Sequence, residues 1–540
     1  MSTNKKKKRV KVEDIAKPSE VLSELRKEDF KPLPAPFDTP ESTPDFKPLT
    51  DAAKEKYECS LDGTIAVNIP KPQSKEEEDE LVAKFLSGME KLFSKENNWT
   101  FLQPLLLSMD HCAKCHTCSD ACHIYEASGE NPIYRPNYRS EVFRRLYKNY
   151  IRGKGGLVDE WRNGKLDLNW TTLARLIELA FRCNLCRRCA QTCPIGVDNG
   201  LIGHEIRKVF SQEMDIQAKE LHDDGSVLQL KVGSSTGMNP EVLKDNMEFI
   251  DEDISEMTGM KIETPWDKAG ADILLIHNAG EIMAWPTNPG AFAVIFESAG
   301  LSWTMSSDLV AYDAINYGVW YDDAMFARVA IKHAEAAKKL GVKKIVLGEC
   351  GHAHKSLTVI ADRVLTGDLN IPRESSMVTI ESLLNEGRIK VDPERNDFPV
   401  TLHDPCNLVR LMGVVEPQRR VLRKIAPRFR EMTPHGVDNY CCGGGSGFAI
   451  MSGQNFADWR AQISGRKKLE QILNAFEDEL DPSIDKYVCA PCSNCKGQLR
   501  DLFAYFDLWE KHRIIYDGLV ELVVNCMTDV KPGFLEWEWH

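Results

Sequence analysis

With 540 residues, 42% of them hydrophobic, the chain is long enough for roughly three or four domains with cores of their own. Its net charge of −13 argues against general nucleic-acid binding, and no apolar run reaches the roughly 18–20 residues that a membrane helix needs. The basic start leads into Val12-Glu13-Asp14-Ile15 rather than an apolar signal segment. The 17 cysteines are therefore expected in a reducing cytoplasm, where metal binding or redox chemistry outweighs a disulfide framework.

Residues 1–75 read as an extended arm with no core of its own, punctuated by Pro32, Pro34, Pro36, Pro40, Pro44 and Pro48. The run Lys5–Arg9 reads as a solvated terminus, with a membrane-surface contact as the alternative. Cys59 stands alone and reads as a small packed residue. The acidic run Glu76–Glu80 opens a helix with Leu81, Phe85, Met89 and Phe93 on one face.

Residues 76–221 form the next expected domain, and two cysteine rows define it. Cys112, Cys115, Cys118 and Cys122 have the spacing C-x2-C-x2-C-x3-C. Cys183, Cys186, Cys189 and Cys193 repeat it, followed by Pro194. This is the bacterial ferredoxin spacing for [4Fe-4S] clusters. Three close cysteines wrap one cubane and the fourth points to the other. Cys112, Cys115, Cys118 and Cys193 are thus assigned to one cluster, and Cys183, Cys186, Cys189 and Cys122 to the second. Zinc is the competing metal, but zinc sites seldom duplicate such a row. Helical spacing over 141–150, 172–182 and 204–221 predicts a mainly helical ferredoxin domain. His111, His116 and His123 flank the first row and read as hydrogen-bonding or surface residues, not ligands.

Residues 222–268 are polar and glycine-containing and read as a linker with a short helix or two. From Asp272 strands alternate with helices: strands at 273–276, 344–348, 399–402 and 486–488, helices at 289–299, 326–340, 417–425 and 455–476. This predicts α/β halves with parallel sheet over 269–508, then a tail at 509–540. The halves read as a degenerate duplication. His277-Asn278-Ala279-Gly280 stands where His403-Asp404-Pro405-Cys406 stands, and Cys350-Gly351-His352-Ala353 where Cys492-Ser493-Asn494-Cys495 stands. Nothing in the first half matches Cys441-Cys442, so one metal site is expected.

Cys406, Cys441, Cys442, Cys489, Cys492 and Cys495 fall within ninety residues. The adjacent pair Cys441-Cys442, followed by Gly443-Gly444-Gly445, suits a multi-metal, sulfur-ligated object better than one tetrahedral zinc. The glycines allow close backbone approach. Gly443–Gly447 follows a cysteine pair rather than a phosphate-binding strand turn, so no flavin or nucleotide is expected in this chain.

The double ferredoxin row followed by a C…CCG…CxxC domain resembles the heterodisulfide-reductase-type (HdrD-like, CCG-domain) iron–sulfur proteins. The single complete cysteine-rich motif, preceded by Gly348-Glu349-Cys350-Gly351-His352, is most similar to the DsrK-type subunits of the DsrMKJOP complex. The resemblance spans residues 105–510 and implies an α+β multidomain protein: a helical double [4Fe-4S] ferredoxin domain, then a pseudo-duplicated α/β cysteine-rich domain. It implies a third, special [4Fe-4S] cluster, non-cubane or otherwise unusual, held by Cys406, Cys441, Cys442, Cys492 and Cys495. The interval of about fifty residues between Cys442 and Cys492 is longer than the family's. Cys350 and Cys489 are left open as ligand, substrate-side thiol or neither, while Cys526 reads as core.

The implied activity is disulfide or trisulfide reduction (or formation), with a DsrC-like sulfur-carrier protein as substrate in dissimilatory sulfur metabolism. The implied partners are a membrane haem b quinol-oxidising subunit and other complex subunits, which would place the chain peripherally on the inner face of the cell membrane. The alternative is an electron-conduit subunit of a flavin-dependent glycolate, lactate or glycerol-phosphate dehydrogenase. Among non-cysteine residues, His403 and Asp404 are candidates for orienting the site or forming a turn, and His352 and His354 for proton donation. Arg410 and Lys496 are candidates for attracting an acidic partner or facing solvent. Trp537-Glu538-Trp539 is a docking element or a packed terminus.

Overall fold

In the computed structural model residues 60–152, 166–309 and 323–537 are described, with 49–56 and Leu25, Asp29, Phe30, Leu33 and Phe46 before them. The Lys5–Arg9 run, most of the proline-rich arm, Cys59, Glu538 and Trp539 lie outside the described residues. Internal contacts divide the chain into two units: residues 1–219 with 450–467, and residues 220–449 with 468–540.

The first unit is helical. Lys75–Leu92 starts where Ser74 accepts from Glu77 N, with Glu76, Glu77 and Glu78 at the positive end of the helix dipole. Phe85 and Met89 are fully buried on its inner face, and Phe85 stacks on Phe210 of the helix Asn199–Met214 at 5.4 Å. The two helices cross at Gly88, where a methyl group would sit 2.8 Å from Val209 Cγ1. The segment after the arm joins this core. Leu61, Ile65, Val67 and Ile69 are buried. Asp62 takes both oxygens to Arg182, whose Nε and Nη2 donate at 2.8 and 2.9 Å. Arg182 follows the helix Trp170–Ala180 and immediately precedes Cys183, so this buried pair fixes the entry to the second cysteine row.

Residues 450–467 belong to this unit as well, which accounts for the long interval between Cys442 and Cys492: the chain leaves the second unit after Ala449 and re-enters it at Lys468. Trp459 packs under the Arg182 guanidinium, 5.2 Å from the ring centre, and Ser464 Oγ donates to Asn184 at 3.0 Å. The helix expected over 455–476 starts after the left-handed cap Asn455 (φ 56°) and is not uniform: Phe456–Trp459 is α-helical, Arg460–Ser464 is wound as π-helix, and Arg466–Ala475 is α-helical again.

The second unit holds two four-stranded parallel sheets. The first contains β1 (Ile273–Ile276), β2 (Trp303–Thr304), β3 (Lys344–Leu347) and β4 (Arg373–Ser375) in the order β2-β1-β3-β4. The second contains β5 (Val400–Leu402), β6 (Phe429–Arg430), β7 (Lys486–Cys489) and β8 (Ile514–Asp517) in the order β6-β5-β7-β8. The duplication expected from sequence is thus a duplication of topology. Register sharpens it: Ile276 pairs with Leu347 and Leu347 with Ser375, as Leu402 pairs with Cys489 and Cys489 with Asp517. Helices of opposite halves pack on each other, Thr287–Ser298 on Leu519–Cys526 and Ser376–Asn385 on Pro417–Ile425. One continuous core joins both halves. The α+β architecture is the expected one.

Two segment readings need correction. Residues 222–268 are not a simple linker: Asn239 caps a helix at Pro240–Thr258. Its Met247, Ile250 and Ile254 are in the core, and Gly290 is needed where Ile254 Cγ1 would meet a methyl at 2.3 Å. The acidic residues between those positions mask an apolar stripe of helical spacing. Residues 509–540 are not a tail either. They supply β8 and the wholly buried helix Leu519–Cys526, and Trp537 packs edge-on against Phe398 at 4.8 Å.

Candidate iron–sulfur sites

In the first unit the two cysteine rows adopt the same local backbone. Lys114 and His116 are left-handed at φ 55° and 68°, and the matching residues of the second row, Leu185 and Arg187, at 52° and 62°. Left-handed residues at matched places turn each row into a tight wrap. Burial pushes Cys118 up to about 11, and its sulfur neighbours are Cys112, Cys115 and Cys193. Burial pushes Cys122 up to about 12, and its sulfur neighbours are Cys186 and Cys183. Cys193 thus stands by Cys118 of the first row, and Cys122 by Cys183 and Cys186 of the second. The described cysteines are all free thiols. Two foursomes of thiols in matched wraps fit two [4Fe-4S] clusters. His116 takes a hydrogen bond from Asn137 at 3.3 Å and His123 pairs with Asn184 at 2.8 Å, so both are used by protein partners.

In the second unit the functional side chains collect beyond the carboxyl ends of β1, β3, β5 and β7, where parallel sheets place their sites. A His403 ring nitrogen and the sulfurs of Cys442 and Cys495 lie within 4.8 Å of one another, all buried. Cys442 is held well below the usual thiol range by hydrogen bonds from Cys441 and Cys495, against the effect of burial, with His403 adding to it. Cys495 in turn is hydrogen-bonded to Cys442 and Cys492. Gly351 N donates to Cys492 Sγ at 3.4 Å. Cys350 is next to Cys492, and burial and that neighbour push it up to about 12. Cys441, Cys442, Cys495, Cys492 and Cys350 thus form one run of neighbouring sulfurs.

Cys406 begins the helix Cys406–Leu411 and is half-buried. It lies at the same end: a methyl on Gly351 would sit 3.2 Å from Cys492 Sγ, 3.7 Å from Pro405 Cβ and 3.8 Å from Asn407 Cβ. Cys489 and Cys526 are core residues. Cys489 ends β7 and packs with Tyr487 and the helix Leu519–Cys526, which contains Cys526.

The glycines after Cys442 have two separate jobs. Gly443 N and Gly444 N donate to Cys441 Sγ and Cys442 Sγ at 3.5 and 3.4 Å. Gly443 does so at φ 98°, open to glycine alone at little cost. A methyl on Gly444 would sit 2.6 Å from Gln498 Cβ, so the helix Ser493–Phe506 that carries Cys495 could not come as close.

Asp404 and Arg410 position the loop before Cys441. Asp404 pairs with Arg419, whose Nη1 donates at 2.8 Å, and accepts from Gly436 N at 2.7 Å. Arg410 Nε donates to Val437 O at 2.7 Å. Lys468, unremarked in the sequence, is buried beside the same thiols. Its Nζ donates to Asn439 Oδ1 at 2.8 Å. Burial pushes it down to about 7, while Asp404, Cys442, Cys441 and Cys495 pull it up. His354 has both nitrogens in use, Nδ1 on Cys350 O at 2.7 Å and Nε2 on Ser375 Oγ at 2.8 Å, and so holds Cys350 in place. His352 is buried with Cys442 among its neighbours, and burial holds it neutral down to about 4. Lys496 faces neither solvent nor a partner: it is buried, 3.0 Å from Asp517 Oδ1. A thiol-rich, buried donor set with backbone amides turned toward sulfur fits a sulfur-bridged iron cluster.

Comparison with known proteins agrees with this chemistry. Residues 108–197 match the family model of a 4Fe-4S dicluster domain, and residues 400–500 that of a cysteine-rich domain, CCG. The Hdr-like menaquinol oxidoreductase iron-sulfur subunit 2 of Archaeoglobus fulgidus is 29% identical over 490 residues, covering 82% of this chain and 83% of that protein. A similar iron-sulfur subunit from Archaeoglobus profundus is 28% identical over 63% of this chain and 67% of its own length. The HdrD-type polypeptide of the dihydromethanophenazine:CoB–CoM heterodisulfide reductase of Methanosarcina acetivorans is 26% identical over 73% of this chain and 89% of its own length. The chain thus combines a segment that matches a 4Fe-4S dicluster domain with one that matches a CCG cysteine-rich domain, and it is similar over most of its length to HdrD-like iron–sulfur subunits.

Proposed function

We propose that the chain is the iron–sulfur subunit of a membrane-associated, quinol-oxidising complex and that its cysteine-rich site cleaves or forms a disulfide. The observation that carries this reading is the run of buried sulfurs from Cys441 to Cys350, with more thiols than one metal ion uses and Cys350 at its end. Similarity to a menaquinol oxidoreductase subunit and to a heterodisulfide reductase polypeptide supports it. By resemblance, quinol oxidation falls to a haem b-type partner; among the described residues no helix is long and apolar enough to cross a membrane.

Cys112, Cys115, Cys118 and Cys193 would hold one cubane, and Cys183, Cys186, Cys189 and Cys122 the other. Cys406, Cys441, Cys442, Cys492 and Cys495 would hold a third cluster. When bound, these groups supply one-electron steps to a reaction that needs two electrons. The chain's own residues do the rest. Gly443 N and Gly444 N stabilise negative charge on the ligand sulfurs. Asp404, Arg410 and Arg419 hold the loop that presents Cys441 and Cys442. Cys350 stands as the substrate-side thiol, kept in place by His354. The substrate is a disulfide or trisulfide on a small sulfur-carrier protein, as in dissimilatory sulfur metabolism.

The test is EPR on anaerobically purified, oxidised protein with and without candidate thiols, with Cys442→Ala in parallel. A paramagnetic oxidised-state signal that depends on Cys442 and changes with thiol is expected. Signals from reduced cubanes alone, untouched by the substitution, would overturn the reading in favour of an electron conduit for a flavin-dependent dehydrogenase.

A further inference from the structure

Behind the cysteine-rich site lies a buried group of carboxyls that the reading above leaves unused. Glu349 follows β3 and precedes Cys350; Glu521 is in the helix Leu519–Cys526. Both are at most 1% exposed. Glu349 Oε1 accepts from Leu519 N and Val520 N at 2.8 and 3.2 Å. The single amide nitrogen of Asn288 donates to Glu349 Oε2 at 3.1 Å and to Glu521 Oε1 at 2.7 Å. The two carboxyls meet over Gly518, where a methyl would sit 1.9 Å from Glu349 Oε2 and 2.4 Å from Glu521 Oε2. Glu521 Oε2 has no hydrogen-bond partner among the described residues.

The titratable groups facing the pair are Lys496, Asp517, Glu281, Tyr487 and Cys489. Lys496 is the one cation of that set, and it is already 3.0 Å from Asp517. Two carboxyls crowded about one amide, with one ammonium shared, do not both stay ionised in the interior. In keeping with this, burial raises Glu521 well above the carboxylate range and Glu349 to about 7.

The pair spans two places. On one side Glu521 and Asp517 line a cavity of about 320 Å³, walled by Trp285, Tyr516 and Phe534. Its rim carries the exposed Arg500 and Glu536, and its volume holds several waters. On the other side Glu349 directly precedes Cys350 in the chain, and the charged group that neighbours both the Glu349 carboxyl and the Cys350 thiol is buried Glu281.

We propose that Glu521 and Glu349 form a carboxyl pair that takes up a proton at this cavity and passes it to the Cys350–Cys492 end of the cysteine-rich site. The proposal rests on the disulfide reading. Cleaving one disulfide breaks one S–S bond, consumes two electrons, supplied by a quinol through the complex, and two protons, and forms two S–H bonds. The pair gives one proton at a time to a thiolate, and the carboxylate left behind is re-protonated from cavity water. Disulfide formation runs the same path outward. Glu349 and Glu521 are relay residues that act through Cys350 and need no contact with substrate.

The holoprotein tests this in two ways. Infrared spectra are expected to show the carbonyl stretch of a protonated carboxyl in the wild type, shifted by D2O, lost in Glu521→Gln and in Glu349→Gln, and restored by Glu521→Asp. In parallel, the midpoint potential of the Cys442-dependent EPR signal is expected to fall with rising pH in the wild type and to lose that slope in both Gln variants. A band that ignores D2O, or a band and slope that survive both substitutions, overturns the relay. The D2O shift needs no variant, so a Gln variant that fails to load its clusters does not stall the test. Thiols that leave the wild-type EPR signal unchanged overturn the disulfide reading instead, and that outcome is read separately from band and slope.

Discussion

Lys496 Nζ lies 3.0 Å from Asp517 Oδ1, and the place of this ion pair in the other half of the duplication is taken by His354 Nε2 and Ser375 Oγ at 2.8 Å. The equivalence follows from register: Ser375 and Asp517 end the fourth strand of each sheet, paired with Leu347 and Cys489. His354 and Lys496 each stand seven residues past those partners. A neutral bond in one half has become a buried charge in the other, beside Cys495.

Breaking the charged version is costly. A buried charge left without its partner destabilises by roughly 3–5 kcal/mol, whereas a lost neutral hydrogen bond costs about 1 kcal/mol. Asp517→Asn is therefore expected to lower the denaturant midpoint of the second unit far more than Ser375→Ala. Equal effects of the two substitutions would show that Lys496 finds another partner, with Glu521 at 3.7 Å the nearest candidate.

Gly444→Ala should disrupt the cysteine-rich site selectively. The new methyl would press on Gln498 Cβ at 2.6 Å, backbone-proximal atoms that cannot swing away. Overpacking of this kind costs about 1–3 kcal/mol, and here it moves the helix that carries Cys495. Iron analysis and EPR are expected to show loss of the Cys442-dependent signal with the ferredoxin-type signals retained. Full retention of all signals would mean that the helix shifts without disturbing the thiols.

Cys489 and Cys492 make a sharper pair. Spacing alone leaves Cys489 open as a ligand; its place at the end of β7, facing Tyr487 and the helix Leu519–Cys526, makes it a core side chain. Cys489→Ala is expected to leave iron content and EPR signals unchanged while lowering stability by about 1–2 kcal/mol for the cavity. Cys492→Ala is expected to remove iron. Iron loss in the Cys489 variant would put that thiol back among the ligands.

The same contrast explains what was legible in the sequence. Cysteine spacing and glycine runs are local signals, so both ferredoxin rows, the CCG segment and the correspondence of His277 with His403 and of Cys350 with Cys492 could be read from residues. Two-residue strands such as Trp303–Thr304 and Phe429–Arg430 carry no alternation to read. Ile514–Asp517 was hidden because a short buried strand follows the last cysteine motif and looks like a tail. Lys468, Glu349, Asn288 and Glu521 are polar residues whose burial comes entirely from partners distant in the chain. Glu349 shows in the sequence only as a member of the Gly348–His352 motif and nothing in the neighbours of the other three marks them; the fold alone sets Lys468 beside the thiols and joins Glu349 to Glu521 through Asn288.

A last prediction concerns acid stability away from the cysteines. His333, on the helix Asp323–Leu340, is buried, and burial lowers its pKa from 6.5 to about 4, against the bond between its Nδ1 and Val329 O at 2.8 Å. The folded state thus keeps a neutral ring where the unfolded chain binds a proton. The contribution is whole above pH 6.5 and is lost progressively as pH falls toward 4, below which both states are protonated. A shift of that size corresponds to a loss of up to about 3 kcal/mol. Urea denaturation of the holoprotein between about pH 7.5 and 4.5 is expected to show a steeper fall for the wild type than for His333→Gln, which has no proton to bind. Parallel curves for the two proteins would show that the ring reaches water in the folded state.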